Sequence, residues 1–293
     1  MATITESEAA ELFRADPQDH LEVESGEVAY RSVGSGPDVL FIHGWPVNSA
    51  TFRRLLPHLA EHVTCHLVDL PGAGSSRWQA SDDLSIANHI RSVRRTVDVL
   101  GLEEVAVVGH DSGGMIARHA MAGDPRLRAM GLINTEQPQG LSWRFKTFLN
   151  ARNVPRFADI LGWAAGNRTV RKNPFVLGDA FADSSLLDGE FDEFFLRPLK
   201  SDPELRAATG SLLKSFEIRY IDELGALHQE IDVPVQLVWG DQDPFFPLEW
   251  AREMVDTFAD ADLRILTGAG LFSHEEQPEA AARALLPTLL GDR

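Results

Sequence analysis

Hydrophobic and polar residues follow one another in blocks whose period changes along the chain. Short apolar runs rich in valine, isoleucine and leucine are typical of buried strands. Such runs lie at 38–42, 65–70, 104–109, 127–133, 235–239 and 262–266. Between them the apolar residues recur every three or four positions, as they do on one face of a helix. This second pattern predicts helices near 51–61, 84–101, 113–121, 247–258 and 275–290.

The order of these elements predicts an α/β fold. Strands that alternate with helices imply parallel pairing with right-handed crossovers, and therefore a mostly parallel central sheet flanked by helices. Residues 21–32 predict two short strands, joined at Ser25-Gly26, ahead of the alternation. Residues 1–20 predict either a helix or a loose arm.

The alternation is interrupted once. Over 137–227 the sequence is helical without clear strands and is broken by several prolines, which predicts an inserted helical cap. The core is then expected to consist of 21–136 and 228–293.

Composition and charge narrow the function classes. Hydrophobic residues make up 44% of the 293 residues, enough for a large buried core. The formal net charge of −17 would repel nucleic acid and anionic membranes, so neither is an expected partner. A single cysteine, Cys65, excludes an intrachain disulfide and a thiol-rich metal site, and we predict no metal. The first residues lack the features of a secretory signal, so we expect a cytoplasmic protein.

The sharpest motif is Gly109-His110-Asp111-Ser112-Gly113-Gly114, between a valine-rich strand and a helix. A nucleophile at such a tight turn needs small residues two positions before and two positions after it. Asp111 has glycine at both positions. If Ser112 were the nucleophile, His110 would occupy a position that needs a small residue. The motif therefore predicts Asp111 as the nucleophile.

Three further motifs accompany this turn: His43-Gly44-Trp45-Pro46 after the strand at 38–42, Trp239-Gly240-Asp241-Gln242-Asp243-Pro244 after the strand at 235–239, and Gly268-Ala269-Gly270-Leu271-Phe272-Ser273-His274. Together they resemble the α/β-hydrolase superfamily over roughly 25–290, and within it the aspartate-nucleophile branch of haloalkane dehalogenases and epoxide hydrolases. In that branch the carboxylate attacks an sp³ carbon and forms an alkyl ester, and a histidine paired with an acid activates the water that cleaves the ester.

The resemblance implies roles for several residues. The backbone amides of Trp45 and Ser112 would form the oxyanion hole. Asp243 would be the acid and Asp241 a turn residue. Glu136 lies near the position where some relatives carry the acid instead.

Position 271 departs from the family pattern. The residue after the last glycine of the final loop is expected to be the catalytic histidine, but it is Leu271, which cannot take a proton. Either His274 takes over as the base, or the chain lacks the base, by nature or by engineering. His274 could equally be a polar residue at the start of a helix. Without the base, ester formation could proceed while hydrolysis stalls.

The leaving group is open at this stage. A halide favours neutral indole N–H donors, for which Trp45, Trp143 and Trp163 are candidates, although Ser112 stands where typical dehalogenases have tryptophan. Any of these tryptophans could instead pack in the hydrophobic core without a role in binding. An epoxide favours a pair of tyrosine donors in the cap. The chain has two tyrosines, Tyr30 before the core strands and Tyr220 near the end of the predicted cap, and a histidine or water could donate instead.

These observations predict a cofactor-free hydrolase that acts on a small apolar electrophile with water as the second substrate. Haloalkane dehalogenase-like chemistry is the first expectation and epoxide hydrolysis the second. The alternative from another class is a catalytically silent homologue that binds a hydrophobic small molecule beneath the cap.

Overall fold

The computed structural model of the chain describes residues 4–292. Its strands are β1 (Asp19–Glu22), β2 (Glu27–Gly34), β3 (Asp38–Ile42), β4 (Thr64–Asp69), β5 (Val105–His110), β6 (Leu127–Ile133), β7 (Val235–Gly240) and β8 (Ala261–Leu266). They form one sheet in the order β1-β2-β4-β3-β5-β6-β7-β8. Strand β2 pairs antiparallel with β1 and β4, whereas the strands from β4 to β8 pair in parallel. The prediction of a mostly parallel sheet is confirmed.

Helices cover both faces of this sheet. They are α1 (Glu6–Arg14), α2 (Leu56–Leu59), α3 (Ile86–Val99), α4 (Ser112–Met121), α5 (Trp143–Ala151), α6 (Phe157–Gly166), α7 (Arg168–Arg171), α8 (Arg197–Ser201), α9 (Pro203–Lys214), α10 (Arg219–Asp222), α11 (Leu224–His228), α12 (Leu248–Val255), α13 (Ser273–Glu276) and α14 (Pro278–Leu290). Within residues 4–292, no helix has both the length and the hydrophobicity that crossing a membrane requires.

Strand β5 lies in the middle of the sheet and is buried along its whole length. Because successive side chains of a strand point to opposite faces, β5 contributes to two separate cores. Val105 and Val107 pack into one hydrophobic cluster, and Ala106 and Val108 pack into the other. The valine-rich run is therefore buried on both faces, as expected for a central parallel strand.

Two local predictions are refined by the structure. The helix predicted near 51–61 is instead two short turns, Ser49–Phe52 and α2. Pro57 lies at the start of α2 and has no N–H to continue a helix from the preceding turn. Of the segment predicted as a helix or a loose arm, Glu6–Arg14 form helix α1, which is capped because Thr5 and Glu8 each accept a hydrogen bond from the other's backbone N–H.

The chain between β6 and β7 contains helices and no strand among the described residues. Helices α5 to α11 occupy it, so the helical part runs from Trp143 to His228. We call this segment the helical insertion. It lies after the carboxyl end of β6, the edge of the sheet at which β5 delivers Asp111, and its helices therefore contribute to the same cavity as the sheet.

Candidate active site

Asp111 occupies a sharp turn between β5 and α4. Its backbone angles, φ of 52° and ψ of −137°, are values that residues other than glycine rarely adopt. Such a conformation costs about 1–3 kcal/mol of stability. The Asp111 N–H donates to the carbonyl of Asn134 over 3.0 Å, and the Thr135 hydroxyl donates to the Asp111 carbonyl over 2.8 Å. These bonds to the segment after β6 hold the turn in place.

The surrounding glycines are required by close backbone contacts. A Cβ on Gly109 would lie 2.5 Å from the Cα of Gly114, and a Cβ on Gly113 would collide with the carbonyl oxygen of Ile42. Side chains at either position would push α4 away from the sheet. The small residues expected around Asp111 therefore serve the close packing of the turn.

Two hydrogen-bond donors hold one oxygen of the Asp111 carboxylate. The Trp45 N–H donates to Oδ2 over 2.8 Å, and the Ser112 hydroxyl donates to the same atom over 3.3 Å. Burial raises the pKa of Asp111, and these bonds together with the Ser112 backbone N–H partly offset that rise. Trp45 and Ser112, the expected oxyanion-hole residues, are thus brought to the predicted nucleophile.

Asp111 borders an apolar cavity of about 60 Å³ between the sheet and the helical insertion. This volume is enough for a few waters or a small organic molecule. Its lining, apart from Asp111, Ser112 and Glu136, is apolar or aromatic: Trp45, Pro46, Ile86, Phe145, Phe148, Leu149, Val176, Leu177, Ala180, Leu212, Leu213, Phe216, Phe245, Phe246, Leu271 and Phe272. The phenylalanines of this lining are the part of the site that the sequence analysis missed. The only signal for them was the abundance of phenylalanine in the chain, 16 residues.

Asp243 lies buried in the loop after β7, outside the cavity lining. Its Oδ1 accepts the N–H groups of Phe245 and Phe246 at 2.8 and 3.1 Å, and its Oδ2 accepts the Asn134 amide at 2.8 Å. Burial raises the pKa of Asp243 to about 7, against the effect of these donors. The carboxylate therefore positions two phenylalanines of the cavity wall. Asp241 accepts the N–H of Gly268 over 2.8 Å, which ties the two loops together.

Leu271 lines the cavity at the position where the family pattern expects the histidine. Its carbonyl accepts a hydrogen bond from His110 Nε2 over 3.1 Å. The loop is thus fixed through its backbone, and an apolar side chain faces the cavity near Asp111.

His274, the candidate substitute base, is not among the residues that line the cavity. It is fully buried in α13, with Nε2 2.9 Å from the Thr51 hydroxyl and its ring 4.4 Å from that of His110. Burial and the neighbouring His110 hold the pKa of His274 well below its usual value. The short helix α13 directs this side chain toward the turn at Ser49–Phe52, so the structure does not bring it to Asp111.

The residues expected to stabilise a leaving group are mostly elsewhere. Trp143 and Trp163 are 68% and 61% exposed, so they lie at the surface of the helical insertion, and neither is among the residues of the cavity lining. Tyr220 is buried against the ring of His119, also outside the lining. Trp45 does line the cavity, but its indole N–H donates to the Thr209 carbonyl over 2.9 Å.

Glu136 is the second ionisable residue of the cavity wall, beside Asp111. It follows β6 and is 1% exposed. Burial, and then the charge of Asp111, raise the pKa of Glu136. The sequence analysis placed Glu136 near an acid position of some relatives, and the structure brings it to the same cavity as the predicted nucleophile.

The family to which the chain belongs follows from its match to a family model. A family model described as alpha/beta hydrolase fold matches residues 37–278, most of the chain. The chain therefore belongs to the α/β-hydrolase fold family.

The chain is also similar to individual proteins of known sequence or structure. The chain is 28% identical over 262 residues to an uncharacterised protein of Mycobacterium tuberculosis, covering 85% of this chain and 74% of that protein. It is 26% identical over 258 residues to the pimeloyl-[acyl-carrier protein] methyl ester esterase of Chromobacterium violaceum, covering 84% and 92%. Among solved structures, a haloalkane dehalogenase from Bradyrhizobium elkani superposes with a TM-score of 0.78 at 22% identity, covering 93% of this chain and 97% of that chain. At that identity the likeness concerns the fold.

Proposed function

We propose that the protein attacks an sp³ carbon of a small apolar electrophile with Asp111 and forms an alkyl ester on that residue. The observation that carries the proposal is a buried carboxylate, held on Oδ2 by the Trp45 amide, at the wall of an otherwise apolar cavity. Because Oδ2 already accepts two hydrogen bonds, we assign the attack to Oδ1. An apolar cavity wall strengthens the nucleophile because it hydrates the carboxylate less than bulk water does.

Hydrolysis of this ester would lack its usual base. Leu271 cannot accept a proton from water, and His274 is held neutral and turned toward Thr51. Loss of a positioned base costs about 10²- to 10⁴-fold in the step that it serves. The ester is therefore expected to form faster than it is hydrolysed and to accumulate.

The polar groups of the cavity favour an oxygen leaving group over a halide. Halide departure, the first expectation from the sequence, would be assisted by indole N–H donors, but Trp143 and Trp163 are exposed and the Trp45 indole already donates to Thr209. An epoxide oxygen, the second expectation, needs a protic group in place of the absent tyrosines. Glu136 is such a group.

The proposal is tested by incubating the protein with n-butyl bromide and with butylene oxide, followed by intact and peptide mass measurement. We expect the mass of the added group on the peptide that contains Asp111. The Asp111→Asn variant is the matched control and should remain unmodified.

Two other outcomes are informative. Repeated release of halide or diol without a lasting adduct would mean that another group acts as the base. Neither adduct nor product over a broad panel of small electrophiles would overturn the proposal, and would favour a silent member of the family that binds a hydrophobic molecule.

A further inference from the structure

We propose that Glu136 is the proton donor to the oxygen that leaves when Asp111 attacks, so that the substrate class of this site is the epoxides. This inference rests on the proposed role of Asp111 as nucleophile. In this role the Glu136 side chain contacts the substrate directly and is a catalytic residue.

The first support is placement. Within the described part of the chain, Asp111 and Glu136 are the two ionisable residues of the cavity lining, and the apolar wall leaves no third acid or base there. Opening of an epoxide needs a carboxylate for attack on carbon and a proton for the ring oxygen. The cavity presents one candidate for each requirement.

The second support is the hydrogen-bond arrangement at Thr135. Its hydroxyl oxygen lies 2.8 Å from the Asp111 carbonyl, 3.0 Å from Glu136 Oε2 and 3.0 Å from Arg118 Nη2. The hydroxyl can donate to the Asp111 carbonyl, which also accepts the Gly114 N–H at 2.8 Å, and to Glu136 Oε2. The guanidinium of Arg118 donates to the Thr135 oxygen. This hydroxyl therefore connects the backbone of the nucleophile to the Glu136 carboxyl group and fixes that side chain at the cavity wall.

The third support is that no cation among the described residues forms an ion pair with the Glu136 carboxylate, although the charge of Arg118 acts on it from a distance. Arg118 is fully buried nearby, but its hydrogen bonds go to uncharged groups: the Gly114 and Glu136 carbonyls, the Thr135 hydroxyl, the His228 ring and the Met254 sulfur. No ion pair of the described residues includes Glu136. A buried carboxyl group without a paired cation favours its neutral form.

The chemical step balances with these two residues. Asp111 Oδ1 forms a bond to the less hindered ring carbon as the bond from that carbon to the ring oxygen breaks. The electron pair of the broken bond stays on oxygen, which takes the proton of Glu136. The products are a 2-hydroxyalkyl ester on Asp111 and the carboxylate of Glu136. An alkyl halide needs no such proton, because halide leaves as the stable anion.

This difference gives the test. We expect Glu136→Gln, which keeps the shape of the side chain, to slow ester formation from butylene oxide by about 10²- to 10⁴-fold. The same variant should slow ester formation from n-butyl bromide far less, because that reaction does not use the proton of Glu136. The readout is the rate at which adduct mass appears on the Asp111 peptide. Equal slowing with both reagents would assign Glu136 a structural role only, and unchanged rates with both would also overturn the inference.

The wild-type pH profile tests the same point without a substitution. The ionisable groups whose charges act on Glu136 are Asp111, in the turn between β5 and α4, and Arg118 on α4. Burial lowers the pKa of Arg118 to about 10, so it stays charged near neutrality. The rate with butylene oxide should fall at high pH as Glu136 loses its proton, whereas the rate with n-butyl bromide should not. A shared profile would contradict the inference.

Failure of the two proposals can be told apart. If n-butyl bromide labels Asp111 but butylene oxide does not, Asp111 is the nucleophile and the role of Glu136 is wrong. If neither reagent labels Asp111, the proposed nucleophile is wrong, and the assignment of Glu136 falls with it.

Discussion

Leu271 lies at the position where the sequence analysis expects a catalytic base. Its backbone is anchored by His110, and its side chain borders the cavity that also contains Asp111. The position can therefore accept a different side chain without a change in the path of the loop. A leucine at this position cannot take a proton from water, whereas a histidine could.

Replacement of Leu271 by histidine is expected to shorten the lifetime of the Asp111 ester. A base at this position should raise the hydrolysis rate by about 10²- to 10⁴-fold, the usual contribution of general base catalysis. The lifetime is measured by isolating the alkylated protein and following loss of the adduct mass.

Leu271→Gln is the matched control for this substitution. Glutamine is polar and similar in length but has no basic nitrogen, so its adduct should persist. If Leu271→His leaves the adduct lifetime unchanged, the placement of position 271 beside the ester is wrong.

At the scale of elements, Ser142 joins the helical insertion to the loop after β7. Its hydroxyl caps α5 by accepting the N–H of Phe145 over 3.1 Å and donates to the carbonyl of Phe245 over 2.7 Å. Both phenylalanines line the cavity. One hydroxyl group therefore sets the start of a helix and the distance between two walls of the site.

Ser142→Ala is expected to destabilise the protein by about 0.5–2 kcal/mol, the usual cost of losing an N-cap. It should also slow alkylation of Asp111, because the two walls of the cavity lose their link. Urea unfolding measures the first effect and adduct mass measures the second.

Thr5→Ala provides the comparison, because Thr5 caps α1, which contributes no residue to the cavity. It should cost a similar amount of stability and leave alkylation unchanged. Equal alkylation by the two variants would show that the Ser142 link does not shape the cavity.

At the scale of the whole molecule, buried ionisable groups determine how stability depends on pH. Burial raises the pKa values of five carboxyl groups: Asp111, Glu136, Asp243, Glu275 and Glu276. Burial also lowers the pKa values of six histidines: His43, His89, His110, His119, His228 and His274. The two sets act in opposite directions.

The free energy of unfolding should be largest slightly below or at neutral pH. As the pH rises through about 7, the folded state must ionise buried carboxyl groups such as Asp243, and their stabilising contribution is lost. As the pH falls below about 6.5, the unfolded chain binds protons on histidines that the folded state keeps neutral. The six histidines outnumber the five carboxyl groups, so stability falls on the acid side as well.

Urea unfolding at a series of pH values checks this expectation. Asp243→Asn should make stability rise more steeply between about pH 4 and 7, the interval over which Asp243 loses its stabilising contribution, and should leave the pH dependence above about pH 8 unchanged. A stability that kept rising below about pH 6 would contradict it.

The sequence predicts the fold and the tight turn at Asp111 well because both depend on residues that are close together in the chain. The valine-rich β5 and the glycines around Asp111 fix a strand, a tight turn and a helix within a few residues, and Trp45 follows its own strand directly. The predictions for His274, Trp143, Trp163 and Tyr220 depend on where a side chain points after distant helices have packed. Periodicity and spacing do not contain that information, so the structure alone reveals that these side chains face elsewhere.

Trp45 connects the helical insertion to the Asp111 carboxylate. Its backbone N–H holds the Asp111 carboxylate, while its indole N–H is bound to a carbonyl of α9 in the helical insertion. A displacement of α9 therefore acts on the residue that orients the nucleophile. Electrophiles too large to be enclosed would meet a less ordered carboxylate, so that size selection and reactivity are coupled through one residue.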